Sequence, residues 1–178
     1  MALEPDTQRD DGWSKYSVSL PANSTISKAD YTISLNTLAA NETVDIDMVS
    51  MFPENAVNGI FRRDMAESIK DINPGFLRFP GGCVVEGYDL SNRYQWKDTV
   101  GPIESRPQIW NRWANKSDAY NETYGLGFYK YFILCEYLNC KALPILNVGL
   151  ACEFNTSEAV PVFESDNKTY TAESQTYI

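Results

Sequence analysis

Histidine is absent from this 178-residue chain. Neither a Ser-His-Asp nor a Cys-His nucleophile system can therefore be assembled within it, and no imidazole is available for zinc. Acid–base chemistry would fall to carboxylates, Tyr, Lys or Cys. No run of 18 apolar residues occurs, so nothing reads as a membrane-spanning helix. The opening residues, Met1-Ala2-Leu3-Glu4-Pro5-Asp6, contain no apolar core of a secretory leader. Neither G-x-G-x-x-G nor a Walker pattern is present, which leaves a nucleotide-binding fold without support. Basic residues are scarce: 15 Lys and Arg stand against 24 Asp and Glu, a net charge of −9. That balance argues against nucleic acid or an anionic membrane as partner. The four cysteines, Cys83, Cys135, Cys140 and Cys152, lack the C-x-x-C pairs of a zinc site, and their pairing stays open.

Apolar residues make up 43% of the chain, enough for a real core. Six Asn-X-Ser/Thr sequons occur, at Asn23, Asn41, Asn115, Asn121, Asn155 and Asn167. One or two would be chance; six favour a secreted glycoprotein with these sites on surface loops. Cysteine usage fits an oxidising compartment without demanding disulfides. Sequons without a leader suggest an internal piece of a longer secreted protein. The alternative is a cytosolic protein whose sequons stay bare.

The pattern divides into two parts, 1–52 and 53–178. In the first, Tyr16, Val18 and Leu20 alternate with Ser17 and Ser19. Tyr31, Ile33 and Leu35 repeat the alternation, as do Val44, Ile46 and Met48. This predicts three or four antiparallel strands over 13–49, part of a β-sandwich. In the second part, Phe61, Met65 and Ile69 fall on one face of a helix expected over 58–70, stopped by Asn73-Pro74-Gly75. A short buried strand follows at 76–79, then a long connection over 83–125. A second helix over 127–138 and a second buried strand over 142–148 complete an α-β-loop-α-β order. Two consecutive units of a parallel barrel or doubly wound sheet are the expected architecture.

Arg78 is a permanent cation inside the apolar strand Phe76-Leu77-Arg78-Phe79. A buried guanidinium needs acceptors, supplied either by a structural ion pair or by a ligand at the strand end. Pro80 ends the strand, and Gly81-Gly82 let the backbone turn sharply. The long connection holds Trp96, Trp110 and Trp113. Such rings either stack on sugar faces or pack the loop down. Glu86, Asp89 and Glu153 lie a few residues past the two strands, where loop carboxylates more often cap or stay solvated than catalyse.

The ordered set Gly59–Glu67, Phe76–Gly87, Trp96–Pro107, Tyr124-Gly125-Leu126-Gly127 and Leu143–Gly149 resembles the α-L-arabinofuranosidases of glycoside hydrolase family 51, in their fungal and plant branch. The resemblance runs from about Val44 to Gly149. It implies the end of a jelly-roll module over 1–52, then the early units of a (β/α)8 barrel over 53–178. It also implies retaining hydrolysis of terminal α-L-arabinofuranosyl residues, with no metal or organic cofactor. The partner would be an arabinose-containing polysaccharide or oligosaccharide. Two glutamates carry that chemistry in the family, on later barrel strands, and this chain has no counterpart of either; no catalytic residue is assigned. Substrate contacts carry over onto Arg78, Cys83 and Trp96, with Asn147 at the end of the second strand. The rivals are a non-catalytic carbohydrate-binding protein and a barrel hydrolase of other specificity.

Overall fold

The computed structural model describes residues 4–25, 28–35, 38–114 and 120–159. The chain forms two compact units, Met1–Asp45 and Ile46–Ile178.

In the first unit, strands β1 (Thr7–Gln8) and β2 (Ser14–Lys15) pair antiparallel, Thr7 opposite Lys15. Their turn is closed by the Arg9–Asp11 ion pair at 2.7 Å and by the Trp13 amide donating to Asp11 Oδ1. The antiparallel strands expected over 13–49 are otherwise not formed among the described residues. Tyr16, Val18, Leu20, Ile33 and Leu35 are exposed. Alternation gives a strand one apolar face but no partner. Ladder groups and that face both need neighbours before the pattern becomes a sheet.

The second unit is built on a parallel pair. Helix α1 spans Arg63–Asp71, later than the predicted start at 58. Asn58 and Gly59 have positive φ, and Val57 bridges Phe61, so a tight turn occupies the expected first helical turn. The inward face moves accordingly: Ala66 is buried and Met65 is exposed, rather than Phe61, Met65 and Ile69 forming one stripe. After the Asn73-Pro74-Gly75 stop comes β3 (Phe76–Phe79). The second parallel strand is β6 (Lys141–Pro144), ending before the predicted 148. They pair with Phe76 beside Lys141 and Arg78 beside Leu143, and the Ile145 amide extends the ladder to the Phe79 carbonyl at 2.7 Å.

Helix α3 (Phe128–Leu138) lies where 127–138 was expected and packs on both strands and on α1. Its first amide, Phe128 N–H, donates to Thr99 Oγ1 at 3.2 Å, which supplies the cap that Gly127 lacks. At its far end Asn139 takes the left-handed conformation that asparagine tolerates. Lys70 Nζ sits 4.4 Å from the Tyr137 ring and links α1 to α3. The core is aromatic. Phe79, 2% accessible, stacks on Tyr131 at 4.6 Å and meets Phe128 and Phe132 edge-on at 5.4 Å. Tyr94, Tyr124 and Cys135 complete the cluster.

The connection over 83–125 is ordered in its described part rather than slack. It forms helix α2 (Cys83–Glu86), three 3-10 turns at Leu90–Asn92, Trp96–Thr99 and Ile103–Ser105, and the hairpin β4 (Ile109–Trp110) with β5 (Asn121–Glu122). Arg106 ties it together, donating to the carbonyls of Gly101 and Tyr124. Gly87 is required at its turn: φ is +73°, and a Cβ there would lie 2.5 Å from Arg93 N.

Candidate functional site at the carboxyl ends of the parallel strands

Two segments leave the carboxyl ends of β3 and β6, and they dock on one another. Residues 83–92 follow β3, and residues 145–159 follow β6. The Asn147 side-chain amide donates to Val85 O at 2.9 Å and to Leu150 O at 2.8 Å. Its oxygen accepts from Gly149 N–H at 2.6 Å. Further along, Leu90 N–H donates to Glu158 Oε2 at 2.9 Å, and Thr156 Oγ1 donates to Tyr88 O at 3.1 Å. Arg112 reaches in from the hairpin side and donates to both Cys83 O and Gly87 O at 2.9 Å. Carboxyl ends of parallel strands are where α/β folds place their ligands.

Arg78 is exposed, not buried as the sequence suggested. Period two explains this. Leu77 and Phe79 turn toward the aromatic core, which sends Arg78 and Phe76 to the opposite face. Among the described residues the guanidinium has no ion pair. It lies over Gly81, where a Cβ would meet Arg78 Cζ at 3.1 Å. Gly81, at φ +78°, thus gives the planar cation room beside the strand end.

Cys83 is exposed at the start of α2, and the Cys152 thiol donates to its sulfur at 4.0 Å. Glu86 joins them: one ligand atom from each of Cys83, Glu86 and Cys152 lies within 4.8 Å of the others. Trp96 is half-buried and packs against the aromatic core. Asn147 is 4% accessible, with both amide protons and one oxygen lone pair used internally. It ties two loops together and has no free donor for a ligand. Asp89 caps the 3-10 turn after it, accepting from Asn92 N–H and Ser91 Oγ, while Glu86 and Glu153 are exposed. Trp110 and Trp113 are exposed, the latter with Arg112 over its ring at 5.2 Å. The recess beside them, lined by Val84, Asn92, Trp110, Arg112 and Trp113, is shallow and has no room for a sugar ring.

Arg112, Glu158 and Cys152 shape this region and carried no role in the sequence reading. Cys152 was visible only as one of four unassigned thiols. Arg112 and Glu158 act on backbone groups far away in sequence, which no local spacing announces. Of the sequons, Asn23, Asn41, Asn121 and Asn155 are exposed. Asn115 and Asn167 lie outside the described residues.

Two parallel strands joined through helices, with an arginine, two glycines and a thiol at one carboxyl end, define an α/β unit. The chain belongs to glycoside hydrolase family 51, the α-L-arabinofuranosidases. Residues 68–175 match the family model described as alpha-L-arabinofuranosidase 1 domain. An extracellular exo-alpha-L-arabinofuranosidase of Streptomyces chartreusis is 39% identical over 150 residues, covering 76% of this chain and 17% of the relative. Alpha-L-arabinofuranosidase 1 of Arabidopsis thaliana is 35% identical over 156 residues, covering 84% and 21%. Among solved structures, an arabinose-bound MgGH51 α-L-arabinofuranosidase aligns with a TM-score of 0.49 at 30% identity, covering 56% of this chain and 15% of the other. The chain spans about a fifth of the length of these curated relatives.

Proposed function

We propose that this chain supplies the early βα units of the (β/α)8 barrel of a retaining α-L-arabinofuranosidase. Its substrate would be terminal α-L-arabinofuranosyl residues on hemicellulose or pectin side chains. The observation that carries the reading is the parallel β3–β6 pair with Arg78 exposed on its uncovered face. Parallel sheets are covered on both faces, so this face calls for further strands and for the inward side chains of a closed barrel. In that setting Arg78 faces the barrel mouth, where a fixed cation orders carboxylates and sugar hydroxyls. The Cys83 thiol offers a weak polar contact beside it. Trp96 lines the sugar pocket while anchored in the core. Asn147 positions the second loop.

Retaining hydrolysis needs an acid/base and a nucleophile about 5–5.5 Å apart across the anomeric carbon. Asp89 is committed to its cap, and Glu86 and Glu153 are solvent-exposed. The span 1–178 alone is therefore inactive, and the complete enzyme is active. An aryl α-L-arabinofuranoside assay on both tests this. Turnover by residues 1–178 that disappears in Glu86→Gln or Glu153→Gln would refute it. The exposed Trp113 favours one second reading, a non-catalytic carbohydrate-binding protein; arabinan binding without turnover by the complete protein would establish it.

Secretion belongs to the same proposal. The extracellular name of the Streptomyces relative and four exposed sequons support it. Mass spectrometry of native-host protein after endoglycosidase treatment should find most of the six sites marked, and six bare sites would remove this part of the reading.

A further inference from the structure

We propose that Cys83 and Cys152 are a disulfide-forming pair that ties the β3 loop to the β6 loop and takes the Cys83 thiol out of the strand-end site. The sulfurs already face one another at 4.0 Å, 69 residues apart in sequence. That gap exceeds a bond of ~2.05 Å by about 2 Å, within reach of a side-chain rotamer change. The flanking backbone is fixed on both sides. Arg112 holds the Cys83 carbonyl, and Asn147 holds Val85 O on one loop and Leu150 O on the other. The Tyr88–Thr156 and Leu90–Glu158 hydrogen bonds extend the same seam. Closing the bond therefore acts on loops already in contact.

Accessibility sets the order of events. Cys83 is exposed and Cys152 is 6% accessible. The Cys83 thiolate attacks a small disulfide such as oxidised glutathione, forming a mixed disulfide and releasing one glutathione thiolate. The Cys152 thiolate then attacks the Cys83 sulfur, forming the internal bond and releasing the second glutathione. The two thiol protons end on the two glutathiones, and the two electrons lost by the protein reduce the oxidant. The remaining cysteines are differently placed. Cys135 is buried, and burial together with the adjacent Cys140 pushes its thiol up to about 11, which keeps it out of the reactive thiolate form.

The pair stands whether or not Cys83 touches sugar, and the test separates the two. The complete enzyme is reduced, equilibrated with oxidised glutathione, trapped with N-ethylmaleimide and digested without reductant. Mass spectrometry should find the Cys83 and Cys152 peptides joined and Cys135 and Cys140 carrying the alkylating label. In Cys152→Ser, Cys83 should instead retain glutathione. Bridged wild type should melt higher than reduced wild type, a difference absent from Cys152→Ser. Alkylated Cys83 and Cys152 throughout, Cys83 joined to another cysteine, or alkylation blocked by added zinc with no bridge formed would each overturn the proposal. Activity decides the other question. A bridged enzyme with lowered, dithiothreitol-restored kcat/KM supports sugar contact by Cys83. A bridged enzyme with unchanged kcat/KM removes that contact and leaves the bridge.

Discussion

The two faces of the β3–β6 pair could hardly differ more. One face holds Leu77 and Phe79 against helix α3, and Phe79 is in van der Waals contact with three rings. The other presents Phe76 at 60% accessible, Leu143 at 45% and Arg78 in solvent. The same four-residue strand supplies both. Burial on this sheet is thus decided by what lies opposite, and hydrophobicity alone does not decide it. The covered face is a packed core, while the bare face carries two cations, Arg78 and Lys141, beside Phe76 and Leu143.

Substitutions on each side can break this contrast. Phe79→Ala empties the packed face and should cost about 3–5 kcal/mol of unfolding free energy. In residues 1–178, Phe76→Ala should change stability by no more than about 0.5 kcal/mol, as for other exposed positions. In the complete enzyme the Phe76 cost should rise toward that of Phe79. Urea titration of both proteins measures this; equal Phe76 costs in the two would mean that nothing ever covers the bare face.

Arg78→Ala in the complete enzyme should lose about 1.5–3 kcal/mol of transition-state binding, roughly ten- to a hundredfold in kcat/KM, with little change in Tm. Arg78→Lys should recover only part, because an ammonium lacks the planar fork. A large fall in Tm with unchanged turnover would make Arg78 a structural residue.

The smallest effect belongs to the covered side and appears only in alkali. Burial pushes the phenols of Tyr94 and Tyr124 well above their usual range. Unfolded tyrosines lose their protons near pH ~10, while the folded ones keep theirs. The unfolded state then binds fewer protons, so stability is intact below that pH and falls as pH rises through the folded values. Tyr124→Phe should flatten the decline between pH 10 and 11 in thermal melts; an unchanged slope would show that other groups set it.

The sequence revealed elements whose signals are local. Helix α3 and the strand at 76–79 appear where periodicity and Pro80 put them. It misled where tertiary partners decide. Alternation in Tyr16-Val18-Leu20 promised strands, yet no neighbour pairs with them among the described residues. Arg78 looked buried because its strand is apolar, and only the position of α3 shows that it points away. Asn147 looked open because a strand was expected to end there, but its amide meets Val85 O across 62 residues of sequence. Sidedness and long-range hydrogen bonding are properties of the assembled pair, and neither is written in spacing.

The register of the parallel pair also has a temporal meaning. Phe76 lies beside Lys141, 65 residues later. At ~5–20 residues per second of synthesis, β3 emerges from the ribosome roughly 3–13 s before its partner strand exists. During that interval its backbone edge and Phe79 are without their final neighbours. The closing entropy of so long a segment grows only slowly with length. The 3-10 turns and Arg106 contacts between the strands can form first and shorten the effective span. Those contacts lie between the two strands in sequence, so the connection over 83–125 completes its Arg106 bonds with residues synthesised before β6.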